Sequence, residues 1–150
     1  MIENYFICFM GIKNRVDYHE LDFHYSSNGV LCVWEGQPFT GVGVELYPDG
    51  SLQAESVFRK GLDTQAGSLW YPMGQIKRRS VADEAHHTLH VTEWHENGTL
   101  KSQTTYEHGV KIAEQSWDAH GVQLTELRIT EHDEYYTILQ LHRAKNSPST

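Results

Sequence analysis

The sequence predicts an all-β fold, an antiparallel meander of β-hairpin repeats, and three observations carry that reading. Five glycines, Gly29, Gly50, Gly74, Gly98 and Gly121, follow one another at spacings of 21, 24, 24 and 23 residues, and a fixed period in this range marks a repeat architecture. Each has an apolar residue four positions ahead of it (Tyr25, Leu46, Trp70, Trp94, Trp117), and the first four have an aliphatic residue two positions after it (Leu31, Leu52, Ile76, Leu100). Two of the turns, Pro48-Asp49-Gly50 and Pro72-Met73-Gly74, place proline where a type I turn wants a preset φ and glycine where the next residue must be left-handed.

That turn chemistry sets the register. A three-residue loop with a bulge accommodates the proline, whereas a two-residue loop would push it into the ladder, where its missing N–H and fixed φ are poorly tolerated. The residue four before each glycine then pairs with the residue two after it, and paired side chains share a face. Tyr25, Leu46, Trp70, Trp94 and Trp117 are expected on one buried face with Leu31, Leu52, Ile76 and Leu100. Strict alternation adds Phe58, Ala82 and Tyr106 six residues further on. Each large apolar side chain fully buried there stabilises by roughly 1.5–3 kcal/mol. The opposite face collects Ser26, Tyr47, Tyr71, His95 and Asp118, a column of mixed polarity open to water or to a partner.

In chain order, Tyr5 to Met10 is short, aromatic and β-prone and reads as a strand. Gly11 to Glu20 loops back, and the first repeat begins at Leu21. A second turn recurs between the glycine turns, clearest at Lys60-Gly61 and His108-Gly109. It comes early at Glu35-Gly36 and decays to Glu84-Ala85 in the third repeat. After the fifth copy and the acidic break Glu131-His132-Asp133-Glu134, the β-prone Tyr135 to His142 reads as a closing strand. A short helix starting at Thr130, with Asp133 as capping partner, is the other reading of that stretch. One repeat domain is expected over 1–145, with a disordered tail over 146–150.

Composition narrows the function classes. The 150 residues carry 12 Lys and Arg against 20 Asp and Glu, a formal charge of −8 with ten histidines uncounted. A net acidic surface disfavours nucleic acid and anionic membrane and favours a basic protein partner. Cys8 and Cys32 match no metal or redox spacing and read as buried thiols of a cytoplasmic protein. The apolar run Tyr5–Met10 has no basic flank before it and is too short for a signal peptide or a membrane span.

Chemistry is not prominent. His86 and His90 would stand roughly 13 Å apart on a strand at ~3.3 Å per residue, too far to share an ion. Lys77-Arg78-Arg79 splits between two faces by alternation. No nucleophile elbow, phosphate loop or distinctive carboxylate pair is present. The expectation is a protein with no catalytic residues, no metal and no cofactor.

The segments Leu46-Tyr47-Pro48-Asp49-Gly50-Ser51-Leu52, Trp70-Tyr71-Pro72-Met73-Gly74-Gln75-Ile76 and Trp94 to Lys101 resemble the MORN-repeat variant of the bacterial YwqK-type antitoxin family. The lead-in Trp34-Glu35-Gly36-Gln37-Pro38-Phe39-Thr40-Gly41 is similar to the segment ahead of the first full repeat in such proteins. The likeness covers about Asp22 to Glu126, with His95 and Asp118 standing where a second aromatic is usual and Ala85 where a second glycine is. It implies an elongated or curled single sheet. It also implies an antitoxin or immunity protein that binds a cognate toxin or effector. On that reading the contact surface includes Tyr47, Tyr71, His95 and Asp118, with Glu45, Glu93 and Glu96 nearby. A membrane-associated or scaffolding role is the alternative, and the acidic balance argues against it.

Overall fold

The structure, a computed structural model, describes residues 14–27 and 29–146. The strand expected over Tyr5–Met10, its Cys8 and the tail beyond Asn146 lie outside the described residues. The chain is mostly β, a meander of antiparallel strands with one short C-terminal helix and no closed barrel. The single repeat domain expected over 1–145 is built as two compact units, 1–75 and 76–150. None of the described helices is long and apolar enough to cross a membrane.

The first unit contains β1 (Arg15–Asp17), a 3-10 turn (Tyr18–Glu20), β2 (Asp22–Ser26), β3 (Gly29–Trp34), β4 (Gln37–Pro38), β5 (Gly41–Leu46), β6 (Leu52–Arg59) and β7 (Leu62–Trp70). Strands β5, β6 and β7 follow the expected meander, but β1 joins the edge of β5 in parallel, with Val16 opposite Gly43. Strands β2, β3 and β4 form a separate three-stranded sheet. The first repeat thus leaves the main sheet and becomes part of a cover over it. The cover is tied down by backbone bonds from Cys32 N–H to Gly61 O at 2.8 Å and from Gly61 N–H to Phe39 O at 2.7 Å.

Between cover and sheet lies the core of this unit: Val16, Leu21, Cys32, Phe39 and Phe58, with Tyr18, Phe23 and Trp34 packed against it. Phe58 is its hub, with ring centroids 5.9 Å from Phe39, 6.2 Å from Phe23 and 6.5 Å from Tyr18. Strand β5 makes room by being small on this face. A Cβ on Gly43 would stand 3.0 Å from Leu21 Cδ1 and 3.1 Å from Phe58. Cys32 is a free, buried thiol, and loss of hydration pushes its pKa up.

The second unit contains β8 (Ile76–Asp83), β9 (Thr88–Trp94), β10 (Leu100–Glu107), β11 (Val110–Trp117), β12 (Gln123–Arg128) and α1 (Tyr136–Asn146). Its strands pair in sequence order, each antiparallel to the next.

The glycine turns are built as the sequence predicts. In the second repeat Tyr47 N–H bonds Ser51 O at 2.8 Å and Gly50 N–H returns to Tyr47 O at 2.8 Å. The same two bonds recur at Tyr71/Gln75, His95/Thr99 and Asp118/Val122. The four glycines have φ between 81° and 85°. The second turns Glu35-Gly36, Lys60-Gly61 and His108-Gly109 have both residues at positive φ, the two-residue type I′ geometry that matches strand twist.

The predicted pairings Leu46↔Leu52, Trp94↔Leu100 and Trp117↔Gln123 are present. The first repeat differs. Tyr25 faces Val30 and His24 faces Leu31, because Ser26 pairs directly with Gly29 across a two-residue connection. No proline forbids that shorter loop here.

The buried face is also corrected. After each of three glycine turns the ladder skips one residue: Leu46↔Leu52 is followed by Glu45↔Ala54, Trp94↔Leu100 by Glu93↔Ser102, and Trp117↔Gln123 by Ser116↔Thr125. A one-residue bulge reverses the faces of everything beyond it. Phe58 therefore lies on the opposite face from Leu52, and Tyr106 on the opposite face from Leu100. Trp70 is buried as expected, but Leu46 is 49% and Tyr25 79% exposed, and Trp94 and Trp117 are half-buried.

The C-terminal stretch is a helix, not the closing strand. Thr130 donates its N–H and its hydroxyl to Asp133 Oδ2 at 2.7 and 2.8 Å, and Asp133 N–H returns to Thr130 O at 3.1 Å. This reciprocal cap turns the chain, and the helix proper begins six residues after Thr130. Leu139 is completely buried. Arg143 grips Glu107 through two bonds, at 2.6 and 2.7 Å. His142 stacks on His108 at 5.3 Å, and His108 on His87 at 4.7 Å.

Two predictions follow from this packing. Phe58→Ala is expected to cost about 3–5 kcal/mol and Leu46→Ala less than about 1 kcal/mol in urea unfolding, although strict alternation would put both on one buried face. Equal losses would contradict the bulged register. The second concerns pH. Hydrogen bonding to the Arg143 guanidinium holds the Glu107 carboxyl below its usual value of 4.5. A carboxylate whose pKa falls on folding contributes stability above its unfolded pKa, and loses it as pH drops through the folded one. Docking of α1 should therefore weaken as pH falls below about 4.5, and Glu107→Gln should remove that part of the slope in thermal melts recorded across the acid range.

Candidate functional site

The residues expected to form a contact column fall into two groups once their partners are traced. Tyr47 sends its hydroxyl to the backbone oxygen of Trp70 at 2.8 Å. His95 Nε2 lies 3.0 Å from the backbone oxygen of Trp117, and because a carbonyl can only accept, Nε2 carries the proton. In each case the residue after a repeat's leading apolar position reaches the main chain of the leading Trp of the following repeat. Asn97 repeats the device two positions along, donating to Ala119 O at 2.9 Å. Tyr71 is half-buried and is not free either.

Asp118 is spent within its own turn, accepting from the N–H groups of His120 and Val122 at 2.9 Å each. Those backbone donors, Val122 first, hold its carboxyl below the usual range. Of the three glutamates, Glu93 accepts from Ser102 Oγ at 3.1 Å. Glu45 is half-buried and Glu96 is exposed. The column is thus largely a set of ties between repeats and within turns, leaving few of its polar groups for a partner.

In the second unit the bulges decide which face is open. One face carries Leu89, Val91, Glu93, Ser102, Thr104, Tyr106 and Leu127. Val91, Ser102 and Thr104 on it are buried. An apolar hollow lined by Tyr106, Val110, Leu127, Ile129 and Tyr135 lies beside the turn leading into α1.

The other face is the open one. Across it run two rows: Arg79, Thr92, Gln103, Gln115 and Glu126, then Val81, His90, Thr105, Ala113 and Arg128. Together β9 to β12 form a shallow polar hollow of ≈ 340 Å³ on this face, lined by His90, Thr92, Gln103, Thr105, Gln115, Glu126 and Arg128 among others.

Part of this surface is internally satisfied. His90 Nδ1 lies 3.2 Å from Thr105 Oγ1. Glu126 accepts from Gln115 at 3.3 Å and from Gln123 at 3.4 Å. The side chains of Thr92, Gln103 and Arg128 have no hydrogen-bond or ionic partner among the described residues. The hollow therefore offers a hydroxyl, an amide and a guanidinium on strands held in register by their ladder. Such groups are able to hydrogen-bond to polar groups placed against them. The Thr, Gln and His of β9 and β10 are polar in the sequence, but strict alternation sets Gln103 and Thr105 on the face opposite Leu100, whereas beyond the bulge they share its face with Thr92 and His90.

The other candidates are dispersed. His86 sits in the β8–β9 turn, 2.7 Å from Asp83 Oδ2, and this contact leads the causes that lower the Asp83 pKa. His90 lies on β9, facing Thr105. Arg78 faces Glu93 and Arg79 faces Thr92 on opposite sides of the sheet, so the basic run is split. No group of three His, Cys, Asp or Glu among the described residues is placed to hold a metal ion.

Comparison of the chain with protein-family models, with curated proteins and with solved structures finds no match.

The ties between repeats have a measurable worth. Tyr47→Phe leaves the Trp70 carbonyl without its hydroxyl donor and should cost about 0.5–1.5 kcal/mol in chemical denaturation, with the denaturant slope unchanged. No loss would mean that water replaces the hydroxyl and that Tyr47 does not fasten one repeat to the next.

Proposed function

We propose that this chain is a toxin-neutralising antitoxin or immunity protein, without chemistry of its own, that binds a cognate toxin or effector protein through the open face of β8 to β12. The observation that carries the reading is the set of unspent polar side chains, Thr92, Gln103 and Arg128, spread over three strands of one face. A polar surface held on paired strands binds with little ordering cost. The formal charge of −8 favours a basic partner, since long-range attraction raises the encounter rate. The resemblance of the repeats to the YwqK-type family supports the same class, and we place the protein in the cytoplasm.

Co-purification of the tagged protein from its native host tests the class. The expected outcome is one basic protein at matched stoichiometry. Gln103→Ala combined with Arg128→Ala is then expected to weaken that complex by about tenfold or more while leaving the melting temperature unchanged. Undiminished binding by this variant would rule out the face. Recovery with membrane lipids instead of a protein would overturn the antitoxin reading in favour of a scaffold at a membrane surface.

A further inference from the structure

Strand β12 ends the order of strands, with β11 its one neighbour among the described residues, and all six of its residues are exposed. Which of its main-chain groups are left over follows from the ladder. Ile129 donates its N–H to Ile112 O at 2.9 Å, next to the opposed residues Arg128 and Ala113, so Ile129 and Ile112 form a hydrogen-bonded pair. Bonded and non-bonded pairs alternate along an antiparallel ladder. Leu127, opposite Glu114, is therefore tied to β11 by its main chain, whereas Glu126 and Arg128, opposite Gln115 and Ala113, turn their N–H and C=O groups away from it. Among the described residues nothing else bonds those outward groups. An edge of this kind accepts a further strand unless something blocks it. This one has no proline, and its bulge, at Leu124, falls before Glu126.

The side chains say which strand fits. Glu126 and Arg128 share one face, two residues apart and opposite in charge. Outward main-chain groups can be opposed only to outward main-chain groups, so a second β12 laid antiparallel has few registers. Centred on Glu126 or on Arg128, it opposes like charges. Centred on Leu127, it opposes Glu126 to Arg128 twice and Leu127 to itself. The Glu126–Arg128 pairs of that register are also the ones whose main chains exchange both N–H···O bonds. A parallel copy in register sets like charges side by side. Both kinds of side chain are available for the joint: Arg128 has no hydrogen-bond or ionic partner among the described residues, and Leu127 is 45% exposed.

We propose that the free edge of β12 is a self-association surface on which two copies of this chain join antiparallel about Leu127, with Glu126 of each bonded to Arg128 of the other through both main chain and side chain. The joint is short, so it falls below the roughly 1,200 Å² of stable complexes and comes apart on dilution. It does not rest on the toxin-binding reading. In the joined pair Arg128 is turned to the second copy's Glu126, which leaves Thr92 and Gln103 to the open face.

Sedimentation velocity over a dilution series of the full chain, with no partner added, tests it. The unaltered protein is expected to pass from dimer to monomer on dilution. Arg128→Pro removes an outward N–H while sparing the bonds to β11, and is expected to stay monomeric throughout with an unchanged circular dichroism spectrum. Glu126→Arg and Arg128→Glu should each weaken association by about tenfold. The two exchanges in one chain, or an equal mixture of the two single variants, should restore it, because each again opposes unlike charges. A protein monomeric at every concentration, a dimer indifferent to Arg128→Pro, or a charge exchange that fails to recover would each overturn the proposal. If Arg128→Pro fails to fold, the charge exchange decides alone.

Discussion

A glycine held near φ +80° at the third loop position fixes where each hairpin reverses, and the strand that follows must absorb one extra residue before regular pairing resumes. Both halves of that constraint are repeated down the chain, at Gly50, Gly98 and Gly121, with the skipped residue falling just past the leading pair each time. The turn sets which residues face one another; the bulge sets which way they point. Reversing the faces beyond the bulge sends Phe58 into the core beneath the β2–β4 cover, and in the second unit it brings Gln103 and Thr105 onto the face of Thr92 and His90. The position of both the core and the open polar face follows from this small offset.

Much of the fold was legible because its signals are short-range. Pro48 and Gly50 specify a loop by themselves, and the pairs Leu46↔Leu52 and Trp94↔Leu100 follow from it without reference to the rest of the chain. What was not legible depends on partners distant in sequence. Nothing near Gln53 or Lys101 announces a bulge, so alternation carried too far. Leu21, Phe23 and Cys32 look like the start of one more repeat, and only the aromatic cluster around Phe58 explains why that repeat leaves the sheet. The C-terminal stretch has β-prone residues, yet the Thr130–Asp133 cap and the burial of Leu139 outweigh that local preference.

The contact column shows the same lesson for the candidate site. Tyr47 and His95 were correctly read as a periodic polar column, but periodicity in a repeat chain has two uses. A residue that recurs every repeat can meet an outside partner, or it can meet the next repeat. The bonds to the Trp70 and Trp117 carbonyls assign these two to the second use. The groups of the open face obey no such period: Thr92, Gln103 and Arg128 come from different phases of the repeat, and that is why pattern reading passed over them.

The parallel pairing of β1 with β5 gives the first unit a different kind of cohesion. Hairpins such as β5–β6 close across a five-residue connection, whereas Val16 meets Gly43 across 27 positions of chain. On the logarithmic scale of loop closure that difference costs about 1.5 kcal/mol of chain entropy, which β1 offsets through its ladder to β5, the Arg15–Glu55 ion pair and the burial of Val16. The hairpins are bound by what adjoins them along the chain. Strand β1 is bound by residues distant along the chain, so its place depends on the cover and sheet it touches.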